Sequence, residues 1–285
     1  MVKIISDTTA CLPNLIREQY KITVVPQMIH FGENSYTEGI DIDIHLFLEL
    51  LQNTKALPKT SAPSPELFRR IFSNITDPAE PILCIHPSTD LSGTVRSTET
   101  AKLDFPDLDI RIIDTRLVAS PLGVVVHRAA IWAAQGLSAD LITEEVYKLS
   151  RRSNVFFLVA TLEYLAKGGR IGGASALIGN ALQIKPILTI IDGKVEPYSK
   201  ERTFSKSLQS LKSIIYDQYP SREDGHLTIM HADKSDLANE LALEFEKALS
   251  IPTPLVSDLP PAIITHVGPG SIAVGFFESS DQAHN

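Results

Sequence analysis

Short runs of β-branched and aliphatic residues recur along the chain: VKII at 2–5, ITVV at 22–25, ILCI at 82–85, IRII at 110–113 and VFFLVA at 155–160. Between them the apolar positions fall at helical spacing. Residues 13–20 and 44–51 show that spacing, and residues 65–72 open with Pro65, which suits a first helical turn. Residues 118–135 are longer and more apolar, which predicts a buried helix. A second series, PILTII at 186–191, HLTIM at 226–230, AIITHV at 262–267 and IAVGFF at 272–277, predicts further strands. Two amphipathic stripes, Phe204/Leu208/Leu211/Ile215 and Leu237/Leu241/Phe245/Leu249, predict helices that each cover a sheet face. Strands alternating with helices in this way make an α/β protein. The polar segment 149–154, with Arg151 and Arg152, is the best boundary, which gives α/β domains at 1–153 and 154–285.

Composition narrows the function classes. The chain has 285 residues, 44% hydrophobic and 21% charged, ordinary values for a folded globular protein. A formal charge of −8 argues against generic nucleic-acid or anionic-membrane binding, because both need a positive surface field. Cys11 and Cys84 stand far apart, so neither a disulfide framework nor a thiolate zinc site is suggested, and a reducing, cytoplasmic setting is the simplest expectation. The opening MVKIISDTTACLP turns polar too soon for a signal peptide. The apolar segment 118–134 is broken by Ser120-Pro121 and His127-Arg128, so no transmembrane segment is expected.

Candidate chemistry lies in polar loops that follow apolar strands, where α/β sheets place ligands. In Ser6-Asp7-Thr8-Thr9 three side chains suit a helix cap, which leaves Asp7 a weak site candidate. In TSAPSP (60–65), Ser64 and Pro65 fit an N-cap and first helical position; Thr60 and Ser61 remain, either as donors to an anionic oxygen or as parts of a plain turn. In HPSTDLSGT (86–94), Gly93 permits close backbone approach, and Ser92 is either the cap or a ligand donor. Ser92 would serve as a nucleophile only with a base beside it, and the chain has no G-x-S-x-G elbow. KGGRIGG (167–173) lacks the order of a phosphate loop and reads better as a glycine-rich turn against a packed surface. His266 precedes the turn Gly268-Pro-Gly270, where structural and functional roles are equally open. The eight histidines show no metal-ligand spacing, so no metal is expected. From 165 to 206 seven basic residues face three acidic ones, a local +4 that leaves −12 for the rest; this is either a solvated face or a dock for an acidic or phosphate-bearing partner.

The ordered set SDTTACLP, TSAPSP, STDLSGT, LEYLAKGGRI, IGNALQIKPILTI through DGKVEPYSKERT, and THVGPG closely resembles the bacterial DegV family, from Ser6 to Phe276. The resemblance implies two α/β domains with a ligand buried near their junction. It also implies a non-catalytic subunit that binds a long-chain fatty acid and presents its carboxylate to a separate ATP-using kinase, which makes acyl phosphate for phospholipid synthesis. The implied carboxylate-binding residues are Thr60, Ser61, Ser92, Gly93 and His266, with Arg170 and Arg202 as contacts for the kinase or a phosphate. No cofactor is implied beyond the lipid. Three departures stand out: Ala62 replaces the usual Gln of the family turn, HPSTD replaces a more regular serine pair, and SPLG near Ser120 replaces a small-Met-Gly stretch. The loss of Gln removes a polar group from the implied site.

Physical chemistry agrees with such a role. Burying about 16 carbons at ~0.8 kcal/mol per methylene supplies a gross driving force of about 12 kcal/mol before ordering costs. A buried carboxylate must be hydrogen-bonded or protonated, and hydroxyls with a histidine can do this without a buried countercharge. Two other classes fit the same residues: an enzyme acting on a phosphorylated or nucleotide substrate, and a lipid-responsive regulatory interaction module.

Overall fold

In a computed structural model of the protein, the apolar run after Met1 enters the first strand of a unit spanning Met1–Ser150. All residues are described except 55, 76, 78, 181–183, 221–224 and 280–285; residues 181–183 of the IGNALQIKPILTI block therefore lie outside the described residues. The elements of this unit are β1 (Lys3–Asp7), α1 (Asn14–Gln19), β2 (Thr23–Val25), β3 (Met28–Phe31), β4 (Asn34–Thr37), α2 (Ile44–Asn53), β5 (Lys59–Ser61), α3 (Pro65–Ser73), β6 (Ile82–His86), α4 (Thr94–Lys102), β7 (Ile110–Asp114), α5 (Ala119–Ala134) and α6 (Ala139–Ser150).

Four of these strands form a parallel sheet in the order β2-β1-β6-β7. The ILCIH of β6 is buried along its whole length, as a central parallel strand covered on both faces requires. Phe68 and Phe72 of α3 and Ala101 of α4 pack into one core with Ile5, Val25, Ile82, Cys84 and Ile110. Ser64 caps α3, its hydroxyl accepting from Leu67 N at 3.3 Å, with Pro65 in the first turn. The predicted buried helix over 118–135 is α5. A second, three-stranded antiparallel sheet, β4-β3-β5, was not predicted, and it takes Thr60 and Ser61 out of the expected turn into a strand.

The unit Arg151–Asn285 contains β8 (Ser153–Leu158), α7 (Glu163–Lys167), a 3₁₀ segment at Gly172–Asn180, β9 (Lys185–Ile191), β10 (Lys194–Glu201), α8 (Phe204–Gln218), β11 (Thr228–His231), α9 (Ser235–Leu249), β12 (Leu255–Asp258), α10 (Pro261–Val267) and β13 (Ile272–Phe277). Its mixed sheet runs β10-β9-β8-β13-β11-β12, with only β11 and β12 parallel. Both amphipathic stripes land as predicted. Leu211 and Ile215 of α8 and Leu241 and Phe245 of α9 join Phe156, Ile187, Ile229 and Phe276 of the sheet in one core.

One predicted strand is a helix. AIITHV (262–267) lies in α10, because Pro261 fixes a helical first turn and Thr265 Oγ1 returns a hydrogen bond to Pro261 O at 2.9 Å. Six residues of which four are apolar do not separate a strand from a buried helix. Among the described residues no helix is long and apolar enough to cross a membrane.

Candidate functional site

In the N-terminal unit the chemistry gathers at the end of β1. Asp7 is fully buried there and ends the strand by capping a 3₁₀ turn, Thr8–Ala10, through Thr9 N at 2.9 Å. The same oxygen, Oδ1, accepts from Thr9 Oγ1 at 2.5 Å. The other oxygen, Oδ2, accepts from Gln27 Nε2 at 2.8 Å and from Thr94 Oγ1 at 2.6 Å. Thr94 is the first residue of α4 and also fully buried. Its hydroxyl stands 3.0 Å from Gln27 Nε2 and 2.9 Å from Ser92 Oγ. A second buried carboxylate, Glu38, accepts from the Thr8 hydroxyl, and Glu38 N donates to Gln27 O at 3.0 Å. Burial raises the Asp7 pKa, and the Thr9, Thr94 and Gln27 hydrogen bonds only partly oppose it. Burial first, then the Glu38 and Asp7 charges, also pushes the Cys11 thiol up, which leaves it inert.

Ser92 is the half-buried, outer member of this network. It immediately precedes α4, whose cap residue, Gly93, supplies no side-chain oxygen to the first-turn N–H groups. The Ser92 hydroxyl itself accepts from the first of these, Thr94 N, at 3.4 Å, and a helix start beside a hydroxyl favours a carboxylate or phosphate oxygen. Gly93 also brings two motifs together: a Cβ there would stand 3.3 Å from Ala62 Cβ, so the STDLSGT loop and the TSAPSP segment touch at that point.

Thr60 and Ser61 do not act as a pair. Thr60 pairs with fully buried Ile29, whereas Ser61 pairs with Met28 on the opposite strand face. The Ser61 hydroxyl is bound to His30 Nε2 at 2.9 Å, and His30 Nδ1 in turn contacts Ser35 Oγ at 2.8 Å, both on the exposed side. Nor is His86 a base for Ser92. Thr98 gives its only proton to Thr94 O, so His86 must donate through Nε2 to Thr98 Oγ1 at 2.9 Å. Burial lowers the His86 pKa to about 3, which keeps the ring neutral.

In the C-terminal unit, α10 carries His266 in its last turn and packs on α7. Two glycines make that packing possible. A Cβ on Gly168 would lie 2.4 Å from His266 Nδ1, and one on Gly268, at φ +80, would lie 2.5 Å from the Tyr164 ring. Thus KGGRI and THVGPG, a hundred residues apart in sequence, are interlocked. Arg170 folds back on the same turn, donating from Nη1 to Gly168 O at 2.7 Å. Burial, then the Arg170 charge, lowers the His266 pKa to about 4, so its imidazole is neutral near pH 7. Arg202 is exposed in the turn between β10 and α8. The rest of the KGGRIGG segment is filled from its own unit. Gly172 backs onto the Val195 carbonyl, and a Cβ on Gly173 would collide with the Glu196 carboxylate, a poor neighbour for a phosphate.

Sequence reasoning placed Ser92 and Gly93 in the turn before a helix and His266 at the end of a strand that is in fact the last turn of α10; it missed Gln27 and Glu38 and undervalued Asp7 and Thr94. The available signal was the pair SDTT and STDLSGT, two hydroxyl-rich loops that each follow a strand of one parallel sheet.

The DegV family model, described as covering uncharacterised proteins of that family, matches residues 1–279. A DegV domain-containing protein of Clostridium acetobutylicum is 32% identical over 280 residues, with 97% of each chain covered. Another from Streptomyces coelicolor is 34% identical over 275 residues, covering 96% of this chain and 97% of its own. Among solved structures, a fatty-acid-binding DegV family protein of Thermus thermophilus has a TM-score of 0.86 at 30% identity, covering 98% of this chain and 99% of its own. A fatty-acid-binding member from Streptococcus agalactiae has a TM-score of 0.90 at 28% identity with the same coverage.

Proposed function

The chain belongs to the DegV family, and from that premise we propose that it binds a long-chain fatty acid and presents the carboxyl group to a separate ATP-dependent kinase for acyl phosphate formation. The observation that carries the binding half is the whole-length likeness to fatty-acid-binding relatives, combined with the hydroxyl network that ends at Ser92.

Within the N-terminal unit the proposed carboxyl contacts are Ser92 Oγ, the backbone of Gly93 and the Thr60 hydroxyl. Ser61 is left out of this set, because its hydroxyl is turned to His30. Within the C-terminal unit His266 is the proposed polar group, neutral at pH 7 and thus able to donate or accept one hydrogen bond without adding charge. Exposed Arg202 and half-buried Arg170 are proposed to meet the kinase or its phosphates; the local +4 of this stretch supports that assignment. On this reading the chain is a cytoplasmic carrier, and the phosphoryl-transfer machinery resides in the kinase. The Glu196 carboxylate against Gly173 weighs against the alternative of a phosphate cradle in KGGRIGG.

The test is extraction of the purified protein with organic solvent and mass spectrometry of the extract, followed by acyl phosphate assays with the cognate kinase. Long-chain fatty acid at close to one per chain, consumed only when kinase and ATP are both present, is the expected outcome. No bound fatty acid and no binding on titration with palmitate or oleate would defeat the binding claim. Binding without kinase turnover would defeat the presentation claim alone.

A further inference from the structure

The hydroxyls between Asp7 and Ser92 carry too few protons to be indifferent to the state of Asp7. Thr94 and Ser92 have one hydroxyl proton each. When Asp7 is ionised, Thr94 donates to Asp7 Oδ2, so the Thr94 oxygen can only accept, from Gln27 Nε2 and from Ser92. As long as the Ser92–Thr94 hydrogen bond is kept, Ser92 then has no proton left for a ligand and offers only lone pairs. That arrangement suits a protonated carboxylic acid and repels a carboxylate. When Asp7 is neutral, every donor can reverse: Asp7 to Thr94, Thr94 to Ser92, Ser92 outward to a carboxylate. The number of hydrogen bonds inside the protein is the same in both directions, so nothing but the location of one proton distinguishes them.

We propose that Asp7 is a positioning residue for the acyl carboxyl group, sharing one proton with it through the chain Asp7–Thr94–Ser92, so that the ligand is ionised when Asp7 is neutral. This rests on the reading that Ser92 meets the carboxyl group. In the transfer, the ligand O–H bond breaks as the Ser92 oxygen takes that proton. The former Ser92 proton passes to Thr94 Oγ1, and the former Thr94 proton passes to Asp7 Oδ2. Three O–H bonds form as three break, and the product is a carboxylate facing a Ser92 donor, the form that attacks a phosphorus centre. None of the hydrogen-bond partners of Asp7 is cationic. The other titratable groups of the cluster are Glu38, joined through Thr8 and Gln27, and the Cys11 thiol. His86, at the end of adjacent β6, is committed to Thr98. Burial raises the Asp7 pKa, which brings its neutral form within reach.

The probe is palmitate labelled with ¹³C at the carboxyl carbon, bound to the full chain and followed by NMR across pH. Wild type is expected to show a bound carboxyl resonance lying between the acid and carboxylate positions near pH 7. In Asp7→Asn, the Thr9 N–H holds the amide oxygen, so the new NH₂ faces Gln27, whose amide must turn to present its oxygen, and Thr94, whose oxygen accepts from it and fixes the hydroxyls pointing outward. The bound carboxyl should then stay ionised, its midpoint lowered by roughly one pH unit or more. Thr94→Val should also displace the midpoint, and Thr94→Ser should retain the wild-type curve; this pair decides the matter if Asp7→Asn does not fold. A wild-type curve in Asp7→Asn, or in Thr94→Val, would overturn the relay. Ser92→Ala separates the two layers: a resonance that it leaves unmoved overturns the contact with Ser92 and the relay with it. A resonance that moves in Ser92→Ala but not in Asp7→Asn overturns the relay alone.

Discussion

Gly168→Ala perturbs the interlocked C-terminal motifs at one atom. The added methyl carbon would sit 2.4 Å from His266 Nδ1, 3.2 Å from His266 Cε1 and 2.9 Å from Tyr164 O. An ordinary contact needs about 3.4 Å or more, so the imidazole or its helix must retreat by about 1 Å. Overpacking of this kind costs about 1–3 kcal/mol. The backbone opposes that loss slightly, because Gly168 has helical angles, φ −76 and ψ −9, where alanine is favoured by about 0.4–1 kcal/mol. The net expectation is a destabilisation of about 1–2 kcal/mol, read as a lower midpoint in urea at unchanged m-value. The decisive step is a double-mutant cycle. In a His266→Ala background the imidazole is gone and only the Tyr164 carbonyl contact remains, so the cost of Gly168→Ala should fall by about 1 kcal/mol. An equal cost in both backgrounds, or a stabilised single mutant, would refute the claim that Gly168 is there to seat His266.

Gly268→Ala meets both a positive φ of +80 and the Tyr164 ring at 2.5 Å, and should cost about 2–5 kcal/mol in chemical denaturation. Ser92→Ala and Thr60→Ala, each measured by fatty-acid titration and by acyl phosphate formation with the kinase, should weaken binding or turnover, whereas Ser61→Ala should behave as wild type because its hydroxyl is spent on His30. The pH dependence follows from His266, whose pKa falls from 6.5 in the unfolded chain to about 4 in the folded one. Its neutral form is the folded form, so its share of stability is complete above pH 6.5 and is lost as pH falls towards 4, by up to about 3 kcal/mol. His266→Gln should flatten the denaturation curve across that window; an unchanged slope would place the titrating group elsewhere.

What the sequence made legible followed from burial. Strands such as ILCI and IAVGFF announce themselves because both faces are covered, and the stripes of α8 and α9 because one face is. The polar strands were silent: NSYT in β4, KTS in β5 and KVEPYSKE in β10 have too little apolar content to show a period. For β10 a signal existed. Asp192 and Gly193 both take positive φ, 48 and 77, making the two-residue hairpin turn that an Asp-Gly pair directly after the apolar PILTII run predicts. The opposite error, reading AIITHV as a strand, came from an apolar run too short to show its period, with Pro261 at its head as the overlooked clue. The candidate site was half legible for a related reason. Ser92 and His266 sit in motifs, but the Asp7 network depends on Gln27 and Glu38, which enter from segments of no distinctive pattern and are placed only by the tertiary fold.

The measurement that bears most directly on the function is the lipid content and fatty-acid affinity of wild-type protein beside Ser92→Ala. The account predicts close to one long-chain fatty acid per wild-type chain after purification, with retention or affinity clearly reduced in Ser92→Ala while both proteins unfold at similar denaturant concentrations. Wild-type protein that carries no fatty acid and binds none on titration would contradict it.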